Sequence, residues 1–205
     1  MSGVMPLPLG NPDYVAIEPY EWVQCRSIGR ARTEANIGKG DAAEYDREAM
    51  MPDPEGNVMT VLCEFAVAKY TGENWTGMGA WSKEDHYKYK HLPDVGDDIE
   101  VRMIVRGPGP KIRDHETDGY LFCARLHGDT MYTTEVEMVG WISMREGQQV
   151  KQPHRNGRYH YVPIEALYSP SSWPRKVRVK PVEQVQDAMS GRFVMPGSPV
   201  FEVIE

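Results

Sequence analysis

The run Val58–Tyr70, VMTVLCEFAVAKY, is apolar on almost every side of a helical projection. A helix of that kind has no solvent face to spare and must be buried on most sides. Asn57 is a good N-cap for it, and Gly72 stands where the helix would end. Glu64 falls in its middle, with Val61, Val67 and Ala68 as its neighbours at three and four positions. An ionised carboxylate buried without a partner costs several kcal/mol, so Glu64 must be protonated, paired with a Lys or Arg, or bound to a metal.

Around this helix the chain reads as a mixed α/β protein. Residues 1–17 are rich in Pro and Gly and read as an irregular arm. A first helix is expected from about Glu18 to Asn36, with Pro19 in its first turn and Gly38 as its terminator. Residues 38–56 read as a loop, and Lys39-Gly40 lacks the glycine spacing and the Ser or Thr of a phosphate-binding loop. After a second loop containing NWTGMGAW come strands over Ile99–Arg106, Tyr120–Leu126 and Met131–Ile142. Gly128-Asp129 is a hairpin signal between the last two. Shorter strands are expected at Tyr159–Val162 and Arg175–Lys180.

The 205 residues suit one domain, with an acidic body and a basic extension over about 145–205. The net charge of −7 argues against a protein that simply coats nucleic acid. Yet Arg155, Arg158, Arg175, Lys176, Arg178 and Lys180 crowd the last third and are candidates to hold a phosphate backbone. Cys25, Cys63 and Cys123 form neither a disulfide framework nor a CxxC pair, which suits a reducing cytoplasm. No apolar run approaches membrane-spanning length, and the N-terminus has no signal-peptide pattern. The histidines include no HExxH arrangement. His154 with His160, and Asp114 with His115, read as solvated loop residues because no Ser or Cys nucleophile motif accompanies them. The tryptophans are candidates to stack on bases, except Trp141, which beside Ile142 reads as core. The aromatics of ENWTGMGAW read as an exposed surface suited to a protein partner.

The segment LPDVGDDIEVRMIVR carries the densest chemistry. In a strand, alternate side chains share a face. Ile99, Val101, Met103 and Val105 are therefore expected inward, with Glu100 and Arg102 together on the other side. Val95-Gly96 is turn-compatible and can fold the Asp94 carboxylate back toward Glu100. Asp97 and Asp98 lie in the same stretch and are alternatives to Asp94 as a ligand. Two unit charges about 4 Å apart repel by roughly 4 kcal/mol at an effective dielectric near 20, and a divalent cation reverses that sign. Magnesium prefers such carboxylates, water and phosphate oxygens. The competing reading is an acidic turn followed by a strand with a Glu/Arg pair.

The order helix Glu64, Pro93-Asp94, Glu100-Val101-Arg102 and further strands resembles the PD-(D/E)XK nuclease superfamily, in particular its small phage-encoded members. CEFAVAKYTG, DVGDDIEVR, VGWI and YHYVPIEAL are similar to that group in order and character, over roughly residues 55–170. The resemblance implies a restriction-endonuclease-like core, a mixed sheet of four to five strands flanked by helices. It also implies Mg²⁺ or Mn²⁺ on Asp94 and Glu100, with Glu64 holding a second ion or its water. The implied reaction is hydrolysis of nucleic-acid phosphodiesters, DNA before RNA. The family's lysine is Arg102 here. Arginine stays protonated and cannot act as a base, though it can clamp a phosphoryl oxygen. A catalytically weak or inactive protein of the same fold, binding nucleic acid or a host protein, is the alternative. Lys69 is a poor stand-in for the missing amine, because five positions on from Glu64 it points elsewhere.

Overall fold

The computed structural model describes residues 13–36, 54–78, 92–105, 107–126, 135–154, 157 and 159–174. Two units are distinguished, Met1–Trp173 and Pro174–Glu205, and of the second only Pro174 is among the described residues. The first unit is a mixed α+β structure. Its elements are β1 (Tyr14–Ala16), α1 (Pro19–Asn36), α2 (Pro54–Thr71), β2 (Ile99–Met103), β3 (Lys111–Ile112), β4 (Tyr120–Leu126), β5 (Glu135–Ser143), α3 (Met144–Val150), β6 (Gln152–Pro153) and β7 (His160–Tyr161). No helix among the described residues is long and apolar enough to cross a membrane.

Among the described residues the main sheet has four strands in the order β1-β5-β4-β2. The β4/β5 and β1/β5 pairs are antiparallel, whereas β2 runs parallel to β4 and forms the sheet edge. The central strand β4 is buried on both faces. Phe122 and Ala124 join the core under α2, while Leu121 and Cys123 join a second core with Ile112, Ile142, Met144 and Val162. Such two-sided burial explains why this segment reads as a nearly continuous apolar run rather than an alternating one. A register shift between Cys123 and Ala124 leaves Val139 as the extra residue of β5. The bulge reverses the alternation, so Trp141 packs with Val136 and Met138 on the α2 side, while Ile142 goes to the other core.

Helix α2 begins earlier than the capping signal suggests, so Asn57 is an interior residue; its Nδ2 donates to Thr33 Oγ1 of α1 at 2.9 Å. The helix ends where expected, with Gly72 N donating to Ala68 O at 2.9 Å. Helix α2 packs on the sheet and α1 packs on α2. The irregular arm expected over 1–17 includes β1, which adds to β5. Strand β2 stops at Met103, so Ile104 is buried and Val105 is exposed, contrary to simple alternation through 106. Helix α3 was not anticipated, although Ser143 and Glu146 form a capping box, with Glu146 N donating to Ser143 Oγ at 3.2 Å. The three-stranded sheet β3-β7-β6 lies in the same part of the chain, and its strands are too short to leave a pattern. Gly128-Asp129 and the segment 175–180 lie outside the described residues.

The two helices cross at Gly29, where a Cβ would come 2.6 Å from Val58 Cα and 2.7 Å from Val58 N. Helix propensity alone favours Ala over Gly by about 1 kcal/mol. Backbone atoms cannot yield as a flexible side chain can, and overpacking costs about 1–3 kcal/mol. Gly29→Ala is therefore expected to lower stability, by about 1 kcal/mol or more in urea unfolding.

Candidate functional site

Four acidic and two basic side chains meet where α1, α2 and the edge strand β2 approach one another. Glu64, 2% exposed, is the most deeply buried of them. Its two oxygens accept from the two terminal nitrogens of Arg32, Nη1 to Oε1 at 2.8 Å and Nη2 to Oε2 at 2.9 Å. Trp75 Nε1 lies 3.4 Å from Oε2, and Arg32 Nη2 also reaches Gly77 O at 3.4 Å. Gly77 seals this pair, since a Cβ there would stand 2.5 Å from Arg32 Nη2 and 2.7 Å from Glu64 Oε2. Arg32 is the first residue that the sequence reading missed. It continues the buried stripe of Cys25, Ile28 and Gly29 at helical spacing, and an arginine on such a stripe calls for a buried acid.

Asp94 is brought to this helix by a short backbone ladder. Gly96 N donates to Asn74 O at 2.7 Å, Thr76 N to Asp94 O at 3.3 Å, and Thr76 Oγ1 to the carbonyls of Asp94 and Pro93. Gly96 takes the left-handed conformation with φ +60°, and Val95 pairs with Ile99 across the turn. As an edge strand, β2 turns the N–H groups of Ile99 and Val101 away from β4. Val95 O accepts the first, and Asp94 Oδ2 accepts the second at 2.8 Å. The Val95-Gly96 turn thus folds Asp94 back along β2, as its residue types imply. Asp97 is exposed, and Asp98 lies beside a separate open depression with Asp118, Ser143 and Arg145.

Glu100 and Arg102 share one face of β2, as alternation requires. Arg102 Nη1 lies 3.0 Å from Glu100 Oε2 and 3.8 Å from Asp94 Oδ2. Its Nη2 lies 2.6 Å from Glu116 Oε1. Glu116 is the second residue missed; it sits in the charged loop after β3, where no periodicity marks it. Burial, then the charges of Glu64 and Glu100, push the Asp94 carboxyl up to about 7, against the Val101 hydrogen bond and the Arg102 charge. Burial lowers the Arg102 guanidinium, but Glu116, Glu100 and Asp94 together outweigh it and the net direction is upward.

Other expectations resolve differently. Lys69 Nζ is held by Glu21, at 2.8 and 3.0 Å, and by Ala16 O. Trp75 of ENWTGMGAW is buried rather than exposed, because its indole N–H faces Glu64 and its ring packs edge-on to Phe65. Trp141 packs with Tyr120, Tyr168 and Trp173. Asp114 Oδ1 pairs with Lys151 Nζ at 2.5 Å and lies 3.3 Å from His160 Nδ1 at the surface. The three cysteines are free and buried, and burial pushes each thiol upward, away from a reactive thiolate. Arg155, Arg158, Arg175, Lys176, Arg178 and Lys180 all lie outside the described residues.

Chemically, the Asp94 and Glu100 oxygens suit a hard divalent cation. They are carboxylate donors, and burial together with the charges of Glu64 and Glu100 disfavours an ionised Asp94 that has, among the described residues, no further cation beside it than Arg102. Both side chains also keep solvent access, at 27% and 33% exposure. Glu64 fits such an ion less well, because Arg32 occupies both of its oxygens. No group of three or more ligand-type residues in metal-binding array occurs among the described residues. Comparison of the chain with protein-family models, curated proteins and solved structures finds no match.

Removing one member of a buried ion pair leaves the other charge uncompensated, at a cost of about 3–5 kcal/mol. Arg32→Met is expected to destabilise by about 3 kcal/mol. Arg32→Met combined with Glu64→Leu should recover much of the loss, as a denaturation cycle would show. The raised Asp94 value has its own signature. Its folded pKa exceeds the unfolded value near 3.9, so the folded state binds this proton more tightly. Asp94 therefore costs stability as pH rises from about 4 through about 7, and the full penalty stands above 7. In EDTA, Asp94→Asn should raise Tm at pH 8 relative to wild type by more than it does at pH 5.

Proposed function

We propose that this chain is a divalent-metal-dependent phosphodiesterase of the phage PD-(D/E)XK type, acting on nucleic acid and on DNA before RNA. The fold assigned to it in this reading is a restriction-endonuclease-like core. The mixed four-stranded sheet, the buried helix laid on it and the acidic strand at its edge support that assignment. The observation that carries the functional reading is Asp94, fixed on the Val101 amide beside Glu100 and driven up to about 7 by burial and by the charges of Glu64 and Glu100. A carboxylate held there by its own backbone is costly unless a cation uses it.

In this reading Asp94 and Glu100 hold Mg²⁺ or Mn²⁺. Such an ion, when held there, would supply a lowered pKa for an attacking water and neutralisation of charge on the phosphoryl oxygens. Arg102 contributes a fixed positive charge beside the same oxygens and, being always protonated, clamps a phosphoryl oxygen rather than accepting a proton. Glu64, tied to Arg32, adds negative charge near Asp94 without offering a free oxygen, and enters the metal shell only if Arg32 releases it. Arg155, Arg158, Arg175, Lys176, Arg178 and Lys180 are the residues proposed to hold the phosphate backbone.

A second reading has its own support. Arg102 stands among three carboxylates and Arg32 neutralises Glu64, so internal guanidinium groups already supply much of the charge that a metal would bring. On that reading the protein binds nucleic acid or a host protein without cutting. Linear, circular and single-stranded DNA incubated with Mg²⁺ or Mn²⁺ separate the two. The expected result is metal-dependent cleavage by wild type and none by Glu100→Ala. DNA binding that persists in EDTA and weakens steeply with salt, without cleavage by either metal, would favour the non-cutting reading.

A further inference from the structure

The two arginines of the site treat their carboxylates differently. Arg32 closes both terminal nitrogens on Glu64, the bidentate geometry that the guanidinium fork favours. Arg102 faces Asp94 and Glu100 and does not do so. Its Nη1 reaches Glu100 Oε2 at 3.0 Å and Val101 O at 3.1 Å, while its Nη2 turns to Glu116 Oε1 at 2.6 Å, the shortest contact in the cluster. We propose that Glu116 is a positioning residue for Arg102. It holds the Nη2 edge of the guanidinium away from Asp94 and Glu100, so that Arg102 meets them through Nη1 alone, on the Oε2 and Oδ2 side, and their other oxygens are left to a divalent cation. The inference rests on the metal-centre reading given above.

Glu116 is built to hold that position. Its side chain is 10% exposed. It caps the turn after β3, accepting from Arg113 N at 2.8 Å and Arg113 Nη1 at 3.1 Å, while its own N–H donates to Arg113 O at 3.1 Å. Gln148 of α3 then clamps the turn from outside, with Nε2 donating to Arg113 O and to Glu116 O at 2.7 Å each. Lys151 Nζ reaches Gln148 Oε1 at 2.7 Å. The carboxylate thus stands on an anchored turn, and of the three acids around Arg102 its charge acts most strongly on the guanidinium. Without it, Nη2 loses its partner while Nη1 remains 3.0 Å from Glu100 Oε2 and 3.8 Å from Asp94 Oδ2, and Arg102 would close on one of these carboxylates as Arg32 closes on Glu64. A guanidinium so placed competes with a cation for the same oxygens.

The test measures Mn²⁺ binding by calorimetry on the full chain without nucleic acid, for wild type, Glu116→Gln, Arg102→Gln and the double variant. Thermal melts establish that each is folded, and Arg102→Lys replaces Arg102→Gln if the latter does not melt cooperatively. Glu116→Gln keeps the side-chain size but loses the charge that competes for Nη2. It is expected to weaken Mn²⁺ binding about tenfold, the loss typical of removing a partner that orients a metal ligand. In the Arg102→Gln background the same substitution should change nothing, because no guanidinium is left to misplace. An equal loss in both backgrounds would assign Glu116 a purely structural role in its turn and overturn the proposal. Unchanged binding in Glu116→Gln would overturn it too, with the metal centre intact. Wild type that takes up no Mn²⁺ overturns the metal-centre reading, and this inference with it.

Discussion

A carboxylate in the middle of an apolar helix places a demand on everything near it. Ionised Glu64 is sheltered from water by the same packing that stabilises α2, so a fixed cation has to be delivered into the core. Arg32 is that cation, and its delivery constrains the helix pair. Helix α1 must approach α2 closely enough for the guanidinium to reach, which the missing side chain at Gly29 permits against the Val58 backbone. The chain leaving α2 must bring Trp75 Nε1 to the carboxylate and keep Gly77 free of a side chain. With Trp75 held, Thr76 lies where it can bind the backbone of Pro93 and Asp94. The ion pair and the placement of the second acid are thus consequences of one desolvated charge.

The edge of the sheet supplies the complementary constraint. An edge strand has backbone N–H groups with no neighbouring strand to receive them. Strand β2 satisfies two of its own by folding the preceding turn back, one on Val95 O and one on the Asp94 carboxylate. That economy of hydrogen bonds draws Asp94 next to Glu100, and it concentrates negative charge at a place already facing Glu64. The electrostatic excess at Asp94 is therefore a product of backbone satisfaction rather than of the acidic composition of the segment. Asp97 and Asp98 share that composition and take no part in the cluster.

Much of this was legible from residue order. The buried character of 58–70, its end at Gly72, a strand over 120–126 and the back-folding of Asp94 through Val95-Gly96 all follow from local rules, and the structure carries each of them. The shared face of Glu100 and Arg102 was equally legible, because it follows from strand alternation. Where alternation failed, the cause is specific: β2 ends at Met103, so Ile104 turns inward and Val105 outward. The capping box of Ser143 and Glu146 was readable too, yet it was hidden behind a strand that ran straight into the helix. Trp75 was misjudged because a tryptophan in a Gly-rich loop looks exposed until a buried acceptor for its N–H is known.

What the sequence determined by itself is a buried helix with an acid at its centre, an acidic turn and strand, and the need for positive charge to meet them. Those conclusions rest on desolvation and on the two short-range periodicities of helices and strands. Only the tertiary structure decided which groups meet that need. Arg32 lies 32 positions from Glu64 and Glu116 lies 14 from Arg102, separations at which no local rule operates. The parallel pairing of β2 with β4 and the clamp of α3 on the turn at Glu116 are likewise long-range outcomes, set by packing between elements whose own sequences do not name their partners.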